Sequence, residues 1–163
     1  MSKYAKITLL TLAAFLFMGL YAASVYAAGP APKVVVPVER SFYLTPTEYD
    51  GNEALTACAA GYHFASVFEI RELASLSYNT DLGRTSDDSG SGPPASEVGW
   101  VRSGKVSSAG GNCHVWTSQN AIDFGTMGSL SLSETFLGKP PWEYGFGGCD
   151  WTLGVWCVSD SEY

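Results

Sequence analysis

Four cysteines, Cys58, Cys113, Cys149 and Cys157, constrain this chain of 163 residues more than any other feature. All four follow a segment with the marks of an export signal, and an even set of thiols in a small exported chain is expected to pair as disulfides. The residues alone leave three possible pairings. Bridges spread from Cys58 to Cys157 predict a small domain whose covalent links support a thin core. A loop-rich chain orders many residues while burying little apolar area.

The export signal has three parts. Lys3 and Lys6 form a basic start, an apolar run extends from Ile7 to Tyr21, and small residues surround Ala27. Cleavage after Ala27 satisfies the preference for small residues. The apolar run is short for a membrane span, which needs about 20 residues. We therefore read 1–27 as signal peptide, 28–40 as an extended Pro/Val-rich linker and 41–163 as a single domain, in a secreted, periplasmic or cell-surface protein with no membrane span after cleavage. The chain carries 16 acidic and 9 basic residues, a formal charge of −7, and loses two lysines with the signal. Such a balance excludes nucleic acid and anionic membrane as partners, because both require a basic face.

Along the domain, Ser41 to Leu44 reads as a strand ended by Thr45-Pro46. Asp50 to Ala60 reads as a helix with Gly61 as its exit residue. Ser66 and Glu69 have the spacing of a capping box, which predicts a second helix to about Leu73 with Val67, Ile70 and Leu73 turned inward. Gly99 to Ser103, Cys113 to Ser118, Ser129 to Leu132 and Cys149 to Val158 suggest short strands, and Lys139-Pro140-Pro141 opens a loop. The expected class is α+β, with two short helices, short antiparallel strands and long loops.

The order of these segments resembles a known family. A helix carrying Cys58 leads into Gly61-Tyr62-His63-Phe64-Ala65-Ser66, followed by a second helix and the strand Gly99-Trp100-Val101. Long loops with two inner cysteines and a terminal Trp156-Cys157-Val158 complete the pattern. This resembles the C-type lectin-like domain over roughly residues 41–160. The resemblance implies a C-type lectin-like fold, the bridges Cys58–Cys157 and Cys113–Cys149, and binding on the long-loop side. The family's Glu-Pro-Asn or Gln-Pro-Asp and Trp-Asn-Asp motifs for calcium-dependent sugar binding do not occur here.

Several residues are candidates for chemistry. Asp87 and Asp88 offer adjacent carboxylates on a Gly/Ser-rich loop that Asp81 and Glu97 can join. Calcium, which takes six to eight oxygens, is the one cofactor this pattern suggests. His63 and His114 are the only histidines and lack metal-ligand spacing. No Gly-x-Ser-x-Gly elbow marks a nucleophile. Of the five tryptophans, Trp100, Trp116 and Trp156 fall in strand patterns and read as core. Trp142 and Trp151 fall in Gly/Pro-rich stretches beside Tyr144 and Phe146, so Trp142, Tyr144 and Trp151 are the expected ligand anchors. The expectation is a non-enzymatic recognition domain for a surface glycan or extracellular protein. A structural module of the matrix or cell envelope is the alternative, and a secreted hydrolase the third choice.

Overall fold

The last strand organises the molecule. In the computed structural model, which describes residues 39–105, 110–131 and 141–160, β7 (Gly154–Ser159) is buried along almost its whole length. An unbroken apolar run of this kind belongs to a strand covered on both faces. Antiparallel to it lie β1 (Arg40–Leu44) on one side and β2 (Tyr62–Phe64) on the other, and β4 (Val98–Trp100) runs parallel to its first residues. Next come β3 (Leu76–Tyr78) parallel to β1, β5 (Phe124–Leu130) antiparallel to β4, and β6 (Trp142–Gly148) antiparallel to β5. The result is a seven-stranded mixed sheet in the order β3-β1-β7-β4-β5-β6, with β2 paired to β7 off that path.

Alternation along the strands divides the apolar residues into two cores, one on each face. Phe42, Leu44, Val101, Leu130, Trp142, Trp156 and Val158 fill one. Tyr43, Phe64, Trp100, Trp116, Val155 and Cys157 fill the other. Trp100, Trp116 and Trp156 are thus core residues, and two of their indoles donate to backbone carbonyls, Trp100 to Tyr49 at 2.8 Å and Trp156 to Gly128 at 2.9 Å. Glycine is needed at 99, where a Cβ would lie 2.9 Å from the Trp156 ring and press on Leu44.

The bridges join Cys58 to Cys157 and Cys113 to Cys149, the pairs that the resemblance implies. The fold class, however, requires correction. The structure is a β-rich mixed sheet, not α+β with two short helices and antiparallel strands. Among the described residues, helical geometry is confined to single turns at Ala54–Thr56, Leu73–Ser75 and Cys113–Trp116.

The expected first helix shrinks to one 3₁₀ turn, because the flanking backbone is bound elsewhere: Tyr49 exchanges bonds with Leu153, and Gly51 donates to the Cys149 carbonyl at 3.0 Å. The capping box forms its side-chain contacts, with the Ser66 amide 2.9 Å from Glu69 Oε2, yet no helix follows. The Ala65 amide goes to the Trp156 carbonyl and the Val67 amide to the Arg102 carbonyl, both at 2.8 Å. Sheet bonding overrides the local signal.

The Cys113–Ser118 stretch, expected as a strand, begins instead with a left-handed turn. Cys113, His114, Val115 and Trp116 have φ of 44°, 52°, 61° and 60°. The signal segment, most of the linker and the Lys139-Pro140 part of the expected loop lie outside the described residues. Among the described residues, no helix is long and apolar enough to cross a membrane.

A candidate recognition strip on the edge strand

Strand β6 ends the sheet and pairs through seven registered positions with β5, from Phe124↔Gly148 to Leu130↔Trp142. Its sequence Trp-Glu-Tyr-Gly-Phe-Gly-Gly places Trp142, Tyr144 and Phe146 on one face by the two-residue period of a strand. Trp142 is 6% exposed and forms the floor, its ring edge-on to Trp156 at 4.9 Å. Tyr144 stacks on it at 6.2 Å and 12° from parallel, and remains 44% exposed. Phe146 is 57% exposed.

Glycines on neighbouring segments let these rings lie flat. A Cβ on Gly128 would stand 3.2 Å from the Tyr144 ring, and one on Gly111, at φ 90°, only 2.8 Å from Phe146. Facing the strand, Phe68 is 72% exposed. With Val67, Arg71, Trp142 and Tyr144 it lines a cleft of about 340 Å³.

The strip's electrostatics are set by burial and by two cations. Burial pushes the Tyr144 phenol up to about 12, while the Arg71 charge pulls it the other way. Tyr144 therefore presents a neutral hydroxyl at physiological pH. Lys105 Nζ sits 5.7 Å from the centroid of Phe146, within cation–π range. Among the described residues, the buried Trp142 indole Nε1 has no hydrogen-bond partner, unlike those of Trp100 and Trp156.

The three expected anchors are separated. Tyr144 lies open on the strip. Trp142 belongs to the core and meets the cleft as its floor. Trp151, 50% exposed, lies over Gly147, where a Cβ would be 2.8 Å from its ring. Gly147 projects to the face opposite Trp142, Tyr144 and Phe146, so one flat ligand surface does not include Trp151. Phe68, Arg71, Lys105 and Phe146 were not among the expected anchors. The alternation of Trp142, Tyr144 and Phe146 was a readable sign of the strip, masked by its setting between Pro140-Pro141 and the glycines 145, 147 and 148.

Asp87 and Asp88 occupy an exposed turn closed by Ser89 Oγ donating to the Ser86 carbonyl at 2.9 Å. Glu97 turns instead to Arg84 at 3.1 Å. Among the described residues no group of three or more His, Cys, Asp or Glu converges, so the calcium expectation has only two adjacent carboxylates behind it.

Each histidine is held by carboxylates. His63 Nε2 is 2.8 Å from Glu69 and its Nδ1 2.6 Å from Asp160. His114 Nε2 is 2.9 Å from Asp123, whose other oxygen accepts from Ser118 Oγ at 2.5 Å. In this Ser–Asp–His set the carboxylate lies between the other two, so the serine donates to the acid and not to the imidazole. Nucleophilic activation requires the reverse contact.

No family model, curated protein or solved structure matches this chain.

Proposed function

We propose that this chain is an exported, non-enzymatic recognition domain that binds a surface glycan along the β6 strip. The observation that carries this reading is the open row of Tyr144 and Phe146 on one face of an edge strand, with Phe68 across the cleft. A pyranose ring has a face of C–H groups that packs on an aromatic face, and rigid aromatic rings add contact area at little entropic cost. The two disulfides support a place in an oxidising compartment, secreted, periplasmic or at the cell surface. Kinship with C-type lectin-like domains belongs to the same proposal, and the cysteine pairing alone supports it.

The test is affinity electrophoresis of the oxidised protein through gels containing a panel of neutral and charged polysaccharides, with calcium or with chelator. Retardation by at least one polysaccharide, lost in Tyr144→Ala and Phe146→Ala, is the expected result. Free migration in every gel would overturn the reading. Self-association without saccharide binding would favour the structural module.

A further inference from the structure

Five basic side chains lie in the described residues: Arg40, Arg71, Arg84, Arg102 and Lys105. Arg40 and Arg102 both reach Glu69 at 3.5 Å, and Arg84 reaches Glu48 at 3.2 Å and Glu97 at 3.1 Å. Arg71 and Lys105 have no carboxylate partner among the described residues. Both stand on the strip: Arg71 in the wall of the Phe68–Tyr144 cleft, and Lys105 above Phe146. Both are exposed. A Cβ on Gly104, next to Lys105, would lie 3.5 Å from Phe68, so this segment runs along the same face of the sheet.

With sixteen acidic residues against nine basic ones, two cations with no carboxylate partner among the described residues, flanking one row of open rings, form a charge pattern suited to an anion. A guanidinium recognises a carboxylate through two parallel N–H bonds, and an ammonium supplies a point charge. The Glu143 side chain, by alternation, projects from the opposite face of β6.

We infer that the ligand of the strip is an acidic glycan carrying carboxylates, of the uronic-acid type, with its sugar rings on Tyr144 and Phe146 and its carboxylates at Arg71 and Lys105. This inference rests on the glycan reading above and narrows it. It makes binding salt-sensitive, since exposed charge contacts are screened over about 10 Å at 0.1 M salt.

The experiment compares oligogalacturonate with the same oligomer fully methyl-esterified, which keeps the rings and removes the charges. Titration calorimetry on the oxidised protein is the readout. The expected result is binding of the acid at least about tenfold tighter than the ester, with that preference lost in Arg71→Gln/Lys105→Gln while both oligomers fail to bind Tyr144→Ala/Phe146→Ala. Equal binding of acid and ester would overturn the acidic specificity and leave the glycan reading standing. Binding of polyglutamate as tight as that of the oligogalacturonate would also overturn it, because charge alone would then be read. Binding of neither oligomer, together with free migration in every gel of the panel, would overturn both. The acid–ester comparison uses the unaltered protein, so its outcome does not depend on how well any variant folds.

Discussion

Trp142 and Tyr144, two residues apart on β6, stack 6.2 Å apart and 12° from parallel, yet one is sealed into the core and the other is open. The pair joins the stability of the sheet to the surface proposed to bind, and substitutions should separate the two roles. Trp142→Ala removes a buried ring and should cost about 3–5 kcal/mol. Tyr144→Ala should change stability by no more than about 1 kcal/mol and abolish polysaccharide retardation. Denaturant unfolding beside gel retardation checks both, and a Tyr144→Ala loss as large as that of Trp142→Ala would make Tyr144 a core residue.

Trp151 provides a control on the opposite face. Trp151→Ala should leave retardation by any bound polysaccharide unchanged, because its ring covers Gly147 and not the row of Tyr144 and Phe146. A loss of binding equal to that of Phe146→Ala would show that the ligand wraps around the strand end instead of lying along one face.

Glu69 gives a pH signature. Burial opposes its ionisation, but the Ser66 backbone amide, the His63 ring and the Ser66 hydroxyl together outweigh it and lower its pKa from 4.5 to about 2. Because the folded value is the lower one, the stabilisation is complete above about pH 4.5 and is lost as pH falls through about 2. A shift of this size corresponds to at most about 3 kcal/mol. The stability difference between wild type and Glu69→Gln, measured by urea unfolding, should be largest above pH 5 and shrink between pH 4.5 and 2. A difference independent of pH would place the role of Glu69 in packing.

The two bridges should differ in reach. The outer one spans 99 positions of chain and anchors β7, and the inner one spans 36. Chain entropy gives upper limits of about 4.7 and about 4 kcal/mol. The inner bridge also anchors the left-handed turn Cys113–Trp116, a conformation costing non-glycine residues about 1–2 kcal/mol each. That turn is closed by Trp116 and Thr117 amides donating at 2.6 and 2.9 Å to the Asn112 and Cys113 carbonyls. Cys113→Ser/Cys149→Ser should therefore speed hydrogen exchange at Trp116 and Thr117 far more than in β7. Cys58→Ser/Cys157→Ser should speed it throughout. Uniform acceleration in both variants would show that the turn has no local dependence on its bridge.

The residues by themselves determined what short-range chemistry can determine. An even cysteine set implied bridges, and the stretch from Cys149 to Val158 implied a closing strand. The positions of Trp100, Trp116 and Trp156 implied core. Tyr144 was legible as an exposed aromatic, and the period of two through Trp142 and Phe146 was present though broken up by glycine. Tertiary structure decided the rest. Asp50 to Ala60 and Ser66 to Leu73 carry helix signals, but their flanking amides are claimed by Cys149, Trp156 and Arg102 from elsewhere in the chain. Each sheet bond satisfies a donor that a short helix would leave exposed at its end. The site follows the same rule. Phe68, Arg71 and Lys105 come from segments far from β6 in sequence, and only the packing of those segments against the sheet brings two cations to one row of aromatic rings.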